Sequence, residues 1–354
     1  MANSIVSINL VVLNGEKYIR RCLESILAQS YPHENIEINI LDNGSTDNTK
    51  SIISNFKFKI LNSGFAKFNF VESKLNFGMW IGQEELLNQS EGKYVVVLSV
   101  DVILEKDFIL NTVRAMDNDL KLGAIQGKIY QFNVQDLEIE NFKLKIGGVI
   151  DTCGFKIDRS RRIKNIGHGE PDRVQFGSAR EIFGVEGAVP IFRKEALESI
   201  RVFGEIADHD LFWYGEDLDV AWRIHLAGWK QMFIPNVIAW HDRGTTKGHT
   251  KGSWFRYIGR VGIRQQIPIQ KRRLEWRNSR WTRIKNDYII NIFKDLPFII
   301  WREIEVLGYA VLFEPGVLKE IPRFFRGIPR MLQKRREIMK HAQASPAEIH
   351  SYFL

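Results

Sequence analysis

Residues 94–101 read Tyr-Val-Val-Val-Leu-Ser-Val-Asp, and this stretch decides the fold. Its first five residues, Tyr94 to Leu98, form an unbroken apolar run of the kind found in strands that are buried on both faces of a sheet. Asp101 follows shortly after that run. Ligands of open α/β sheets bind at the carboxyl ends of the strands, so Asp101 stands where a ligand would bind.

Strand and helix patterns alternate along the residues that precede this stretch. Residues 5–13 and 36–41 predict strands, and the alternating Phe68 and Phe70 suggest a third. Apolar residues at helical spacing predict helices over 18–27 and 81–89. This alternation predicts an α/β fold built on a doubly wound, Rossmann-like mixed sheet.

Composition narrows the class of protein. The chain has 354 residues, of which 44% are hydrophobic and 26% charged, and these values exclude disordered and collagen-like chains. Its two cysteines, Cys22 and Cys153, cannot form a disulfide framework or a Cys-based zinc site. The first apolar run, at 5–13, lacks a preceding basic residue, and no apolar run of about 18 residues occurs. We therefore expect neither a secretory signal nor a membrane-spanning helix.

Positive charge is concentrated late in the sequence. Residues 247–340 hold 22 Lys and Arg against 8 Asp and Glu, whereas the rest of the chain holds 28 against 34. Aromatic residues are interleaved with these basic residues, as in segments that lie on anionic membranes. The alternative is a helical subdomain that packs on the body and exposes a basic face. Nucleic acid is not expected as a partner, because no recognised binding motif accompanies the charge.

Three positions at or just after predicted strands carry candidate chemistry. Asp42 ends a predicted strand and can accept from a base N–H or a ribose hydroxyl, although the segment 42–45 also suits a simple turn and a helix cap at Ser45 or Thr46. Asp101 can hold a hard divalent cation, or it can act as a loop acid or helix cap. His241 follows the strand-like segment 231–240, where a structural histidine is the common alternative.

Three acids open a predicted helix in the segment 215–219. Acids in a first helical turn favour the helix dipole, so a structural role is available to all three. Asp219 can pair with Arg223 four residues later and is the weakest candidate for catalysis. Glu216 and Asp217 remain, and the aromatic residues 212–214 suggest a cleft wall beside a general base.

In this order, the clusters resemble glycosyltransferase family 2 enzymes with a GT-A fold, particularly the bacterial branch that includes rhamnosyltransferases. The resemblance covers roughly residues 5–244. It is carried by Asp42-Asn43-Gly44-Ser45-Thr46-Asp47, by Gly215 to Arg223 with Ala227-Gly228-Trp229, and by the shorter segments 11–14, 98–101, 184–188 and 238–241.

The resemblance implies an inverting transferase that uses a nucleotide-diphosphate sugar, such as dTDP-rhamnose or a UDP-sugar, and Mg²⁺ or Mn²⁺. Asp217 matches the general base, and Asp101 and His241 match the metal positions. Trp213 and Glu216 would lie on the acceptor side. The expected nucleotide-sugar contacts are Val11, Val12, Leu13, Asn14, Asp42, Asn43, Lys74, Asp101, Gly187 and Ala188. Ser99 departs from the family's Asp-x-Asp motif by replacing its first acid.

The resemblance also implies an organisation and a location. We expect a nucleotide-sugar-binding half at 1–104, an acceptor-binding and catalytic half at 105–246, and a basic, aromatic helical extension at 247–354. The acceptor would be a glycan or a lipid-linked glycan in surface polysaccharide synthesis, at the cytoplasmic face of the cell membrane. The departure at Ser99 keeps a second hypothesis open, a non-catalytic GT-A-like module that binds the membrane surface.

Overall fold

The computed structural model describes residues 4–135, 144, 146–242, 261–262 and 264–354. The beginning of the predicted extension, 247–260, lies outside the described residues, together with its Trp254, Phe255 and Tyr257.

One mixed sheet of ten strands forms the centre of the protein. Its strands are β1 Val6–Val12, β2 Ile36–Asp42, β3 Lys67–Glu72, β4 Tyr94–Leu98, β5 Val102–Leu104, β6 Leu122–Gln131, β7 Ile150–Thr152, β10 Arg180–Glu181, β11 Ile191–Arg193 and β12 Lys230–His241. The strand order is β10-β12-β6-β11-β4-β1-β2-β3, with β5 paired to β12 and β7 to β6. A separate hairpin contains β8 Phe155–Ile157 and β9 Ile163–Asn165.

Helices connect these strands and continue beyond them. The body contains α1 Glu16–Leu27, α2 Thr49–Asn62, α3 Met79–Gln89, α4 Phe108–Asn118, α5 Lys194–Ser199 and α6 Glu216–Leu226. The extension contains α7 Ile269–Asn286, α8 Ile289–Lys294, α9 Leu296–Phe313, α10 Ile321–His341 and α11 Pro346–Ser351. The predicted α/β alternation and the helical extension are both confirmed. The sheet takes strands from 1–104 and from 105–246, and the division into two functional halves stays a prediction.

Strand β4 shows why the sheet is doubly wound. Its side chains alternate between two buried clusters: Tyr94, Val96 and Leu98 pack with α1, α2 and α4, whereas Val95 and Val97 pack with α3, α5 and α6. Successive residues of a strand point to opposite faces, so an apolar run without alternation requires a helical layer on each face. The apolar stretch at 94–98 is therefore explained by burial on both sides.

Two antiparallel pairs of strands bring other segments to the edge of the sheet at which β4 ends. Strand β11 pairs antiparallel with β4, and the ladder continues through a bond from the Ser99 N–H to the Ala188 carbonyl at 3.0 Å. Strand β5 pairs antiparallel with β12 and sets His241 opposite Val102. Segments that are distant in sequence thereby reach the carboxyl end of β4.

The segment after β2 forms a turn, and the helix that follows begins later than predicted. Helix α2 starts at Thr49, so neither Ser45 nor Thr46 caps it. The Ser45 hydroxyl instead accepts from the Asn14 N–H at 2.8 Å, and Asp47 accepts from the N–H and hydroxyl of Thr49. The side chains of Ser45 and Asp47 make their hydrogen bonds within this longer turn. The prediction that Ser45 or Thr46 caps the helix was wrong for that reason.

The extension packs firmly on the body. Lys285 of α7 is buried and bonds Asp208 and Asp219, and Lys334 of α10 is buried against Asp208. Ile338 of α10 packs in an apolar cluster with α6. Part of the late basic charge is thus neutralised inside the protein. Among the helices of the described ranges, none has the length and apolarity needed to cross a bilayer.

Candidate active site

Asp42 lies at the end of β2 and is fully buried. Its Oδ1 accepts from the backbone N–H groups of Gly44 and Ser45 at 3.2 and 2.9 Å, which is the turn that the sequence also allowed. Its Oδ2 is buried with no hydrogen-bond partner in the described part of the chain. A buried oxygen without a partner is costly unless a ligand supplies a donor. The carboxylate therefore combines a turn with a vacant acceptor.

Asn43 organises the loop beside Asp42. Its Nδ2 donates to Asn76 Oδ1 at 2.9 Å and to the Gly78 carbonyl at 3.1 Å, and its Oδ1 accepts from the Phe77 N–H at 3.0 Å. Lys74 lies in the same loop and is exposed. Asn43 thus acts on the loop through its side chain and has little capacity left to contact a ligand.

The loop after β1 lies against the turn after β2. Asn14 has a positive φ of 51° and its Oδ1 accepts from the Thr46 N–H at 2.8 Å. The Val12 carbonyl accepts from the Asn43 N–H at 2.8 Å, while Val11 is buried beside Leu41. Leu13 and Asn14 are the exposed members of this group. The predicted nucleotide contacts at 11–14 and 42–43 are therefore neighbours along one edge of the sheet.

Gly187 joins the end of β4 to helix α6. The Ser99 hydroxyl lies 3.5 Å from the Gly187 carbonyl, and the Gly187 N–H donates to Asp217 Oδ2 at 3.1 Å. A Cβ at position 187 would stand 2.8 Å from that same oxygen, so a larger residue here would displace this carboxylate. Asp217, Gly187 and Ala188 are thereby gathered at the carboxyl end of the strand that leads to Asp101.

The three acids at the start of α6 lie in different environments. Asp219 is fully buried and pairs with Arg223 at 2.6 Å, as the spacing predicted. Glu216 is buried without a Lys or Arg partner in the described ranges. Burial raises the pKa of Glu216 to about 7, and the charges of Asp217 and Asp219 act in the same direction. Asp217 and Glu216 are thus the two acids of this turn that are not ion-paired with Arg223.

His241 lies between two carboxylates. Its Nε2 is 3.3 Å from Asp101 Oδ2, and its Nδ1 is 2.8 Å from Oδ2 of the buried Asp151. Burial acts to lower the pKa of His241, but hydrogen bonds to Asp101 and Asp151 and their charges outweigh it and raise the pKa to about 9. Asp151 lies on β7 and fixes the orientation of the ring through Nδ1.

The residues present suit a divalent cation held partly by its substrate. Asp101 Oδ2 and His241 Nε2 face each other, and an acid on the far ring nitrogen is the usual support for a metal-binding histidine. In the described residues, no three His, Cys, Asp or Glu side chains are grouped so that they could hold a metal ion. Mg²⁺ commonly binds one or two carboxylates plus substrate phosphates, so two protein ligands agree with such a site.

An aromatic loop precedes α6 and is strained. Phe212 and Tyr214 have positive φ values of 62° and 65°, which bulky residues rarely adopt. Asn278 of α7 holds the loop, because its Nδ2 lies 2.9 Å from the carbonyls of both Leu211 and Trp213. Strain at such positions costs about 1–3 kcal/mol each and is usually found at functional sites. The loop exposes Trp213, the predicted acceptor-side residue.

Sequence reasoning missed Asp151 and Asn278. Asp151 was hidden in the short segment 150–152, where nothing in the neighbouring sequence marks that it is fully buried. Asn278 is one polar residue among many in a charged helix, and nothing local marks it. The assigned roles of the predicted site residues, including Lys74 and Trp213, stay predictions.

The chain is similar in sequence to several known proteins. The family model described as Glycosyl transferase family 2 matches residues 7–185, about half of the chain. The poly-beta-1,6-N-acetyl-D-glucosamine synthase of Staphylococcus epidermidis is 27% identical over 240 residues, which cover 66% of this chain and 49% of that protein. The synthase of the same name from Staphylococcus aureus strain COL is 28% identical over 231 residues, covering 65% and 48%. The chain spans about half the length of these relatives.

Solved structures show the same fold. A mannosyltransferase, PcManGT from Pyrobaculum calidifontis in complex with GDP-Man and Mn²⁺, aligns with a TM-score of 0.52 at 15% identity, covering 96% of this chain and 88% of that one. GalNAc-T7 with UDP, GalNAc and Mn²⁺ aligns with a TM-score of 0.54 at 14% identity, covering 96% and 58%. The GT-A fold that the resemblance implied is confirmed. With the match at 7–185, the chain belongs to glycosyl transferase family 2.

Proposed function

We propose that this protein is an inverting glycosyltransferase that moves a sugar from a nucleotide-diphosphate sugar to a glycan or lipid-linked glycan acceptor in surface polysaccharide synthesis. The observation that carries the proposal is the link from the end of β4 through Gly187 to Asp217, with Asp101 and His241 in contact just beyond that strand. The relatives named as poly-beta-1,6-N-acetyl-D-glucosamine synthases support a polymer-forming reaction.

The proposed roles follow from chemistry that each residue can perform. Asp42 accepts an N–H from the base through its vacant Oδ2. Asp217 takes the proton of the acceptor hydroxyl as that oxygen attacks the anomeric carbon from the face opposite the leaving diphosphate, a role worth about 10²–10⁴ in rate. One carboxylate is sufficient for an inverting displacement, so Glu216 can remain protonated beside it.

Asp101 and His241 would hold the divalent cation, with Asp151 orienting the imidazole. A bound cation would neutralise the negative charge of the leaving diphosphate. Ser99, which replaces an acid, contributes a hydroxyl near the Gly187 carbonyl and no charge. The donor sugar is proposed as N-acetylglucosamine on UDP, in line with the names of the relatives, with dTDP-rhamnose as the second candidate.

A donor-hydrolysis screen tests the activity. UDP-, GDP- and dTDP-sugars are each incubated with the protein in Mn²⁺, Mg²⁺ or EDTA, and released nucleoside diphosphate is measured. We expect one donor to be hydrolysed in a cation-dependent manner. Calorimetry with the same panel then separates the two hypotheses. Absence of binding to every donor, with and without Mn²⁺, would contradict the proposal and favour the non-catalytic module.

We also propose that the protein binds an anionic membrane surface through α8 and α9. Both helices expose apolar side chains, and Trp301 and Ile304 are 65% and 60% exposed. Exposed apolar patches of this kind commonly mark interaction sites, and aromatic residues beside cations suit a lipid interface. Lys294, which is exposed at the end of α8, provides positive charge next to this face. We assign the membrane contact to these two helices and not to the whole basic extension, because Lys285 and Lys334 are buried in ion pairs.

Vesicle flotation tests the membrane contact. The variant Trp301→Ser/Ile304→Ser should release the protein from vesicles of phosphatidylcholine and phosphatidylglycerol. The matched control is Phe58→Ser/Leu120→Ser, which removes two exposed apolar residues, 75% and 71% exposed, from the body. Equal binding by the two double variants would count against the α8–α9 surface.

A further inference from the structure

A cavity of about 390 Å³ lies outside the set of acids described above. It is enclosed by α7, α9 and the turn that joins β8 to β9. Guanidinium groups dominate its polar lining: Arg162, Arg272, Arg280, Arg283 and Arg302 are among them. Its volume falls within the range of small-molecule sites, which is about 300–1,000 Å³.

The cavity carries a surplus of positive charge. Seven arginines and four glutamates line it. One of the seven, Arg161, is neutralised from outside by Asp287 and Asp295, so six arginines face four glutamates. Some arginines share one carboxylate, since Glu303 alone forms ion pairs with both Arg280 and Arg283.

Glu314 likewise serves both Arg264 and Arg272, while Glu275 lies 3.6 Å from Arg264 and Glu305 lies 3.5 Å from Arg302. Arg162 is half-buried, and the described ranges place no carboxylate within ion-pair distance of it. Burial lowers the pKa of Arg280, and the charges of Arg283 and Arg302 act in the same direction, whereas Glu303 opposes them. These guanidinium groups are therefore short of negative charge.

Two connections link the cavity to the proposed active site. Leu218, one residue after Asp217 on α6, forms part of the cavity wall. The β8–β9 hairpin provides the second connection, because its turn lines the cavity while Asn165 at its end donates to Glu186 Oε2 at 3.1 Å. Glu186 immediately precedes Gly187, which contacts Asp217.

We propose that this arginine-rich cavity binds a phosphate or diphosphate group carried by the acceptor. This inference rests on the proposed function, and it identifies the acceptor as an anionic, phosphate-bearing molecule. Arginine forks match phosphate oxygens in two-point geometry, which suits a cavity with several converging guanidinium groups. Helix α9 lines the cavity with Arg302, Val306 and Tyr309 and exposes Trp301 and Ile304 on its other side. A lipid diphosphate and a soluble phosphorylated glycan would present the same group to the cavity.

Binding of inorganic pyrophosphate tests the site. Calorimetry compares the full chain with Arg162→Gln/Arg302→Gln and with Lys164→Gln, a control on the same hairpin whose amine pairs with Asp158. We expect the double variant to lose about tenfold or more in affinity, because it loses charge-assisted hydrogen bonds to the ligand, and the control to bind normally. Arg162→Gln removes no ion pair of the described residues and gives a second reading if the double variant misfolds. Equal affinity in all variants would overturn the proposal.

Competition identifies the source of the group. Geranyl diphosphate should displace pyrophosphate more strongly if the acceptor is lipid-linked, and equally if it is soluble; in both cases the effect must depend on Arg162 and Arg302. Donor hydrolysis by the unaltered protein tests the proposed function separately. Hydrolysis combined with arginine-independent pyrophosphate binding would overturn the cavity alone. Arginine-dependent binding without hydrolysis of any donor would overturn its assignment to an acceptor.

Discussion

Two groups of buried acids in this protein have opposite surroundings. Asp208 and Asp219, where the extension meets the body, are enclosed by Lys285, Lys334 and Arg223. Burial acts to raise the pKa of Asp219, but the charges of Arg223 and Lys285 hold it below its ordinary value. Asp208 and Asp219 therefore have a structural role.

The acids of the candidate site lack this compensation. Asp42 retains a buried oxygen without a partner in the described part of the chain, and Glu216 is buried with a raised pKa. Glu216, Asp217 and Asp219 lie within one helical turn, yet Asp219 is neutralised and Glu216 is not. The contrast indicates that uncompensated burial, more than acidity itself, distinguishes a binding or catalytic carboxylate from a structural one.

Replacing Asp217 should show the largest difference between the structural acids and the acids of the candidate site. Asp217→Asn keeps an oxygen that can accept from the Gly187 N–H but removes the base, so we expect transfer to fall about 10²–10⁴-fold with an unchanged melting temperature. Single-turnover assays with the donor found in the screen measure the rate, and calorimetry measures melting. Near-normal turnover would show that another group accepts the proton.

Removing a cation from the structural group should have the converse effect. Lys285→Met leaves Asp208 and Asp219 buried with one counter-charge fewer, and we expect the free energy of unfolding to drop by about 3–5 kcal/mol. Urea denaturation measures the loss. The control Lys67→Met breaks an exposed pair with Glu91 and should cost less than about 1 kcal/mol. Similar losses for both variants would remove the distinction between the groups.

Replacing Glu216 should change how the free energy of unfolding depends on pH. Its pKa is raised from 4.5 to about 7 in the folded protein, so its favourable contribution is complete below about pH 4.5 and is lost as pH rises through about 7. Glu216→Gln should abolish this decline and stabilise the protein at pH 8 by up to about 3 kcal/mol. Urea titrations at pH 5, 6, 7 and 8 test this. Parallel pH profiles for the two proteins would contradict the raised pKa.

Replacing Asp42 should have the smallest effect of these four substitutions. Asp42→Asn preserves the Oδ1 acceptor of the turn but replaces the vacant Oδ2 with a donor, so we expect donor affinity to fall about 10- to 100-fold with little change in stability. Calorimetric titration with the donor measures it. Asp119→Asn, beside the start of β6, is the control and should bind normally. Unaltered affinity in Asp42→Asn would place the base elsewhere.

Local pattern was sufficient to predict the parallel part of the sheet. Apolar runs such as 94–98 and helical spacing such as 18–27 are decided by which face of an element is buried, and neighbouring residues carry that information. The insertion of β11 between β4 and β6 and the pairing of β5 with β12 depend on contacts between distant segments. No local pattern specifies such pairings.

The same distinction explains the candidate site. Asp42, Asp101, Asp217 and His241 stand at the ends of recognisable elements, and a resemblance to a family gave them an order. Asp151 could not be assigned, because its partner His241 is brought to it only by the tertiary fold. Charge counting overstated the exposed basic surface of the extension for a related reason: burial of Lys285 and Lys334 against Asp208 is invisible in composition.

The bond from Asn278 to the aromatic loop has a consequence for engineering and for divergence within the family. Because a residue of α7 fixes the backbone of Trp213, the extension contributes to the shape of the wall that an acceptor would meet. Swapping the helical extension for that of another family member would therefore alter acceptor choice even if every acid of the body were retained. If Trp213 meets the acceptor as proposed, acceptor specificity is a joint property of these two segments, which must then change together.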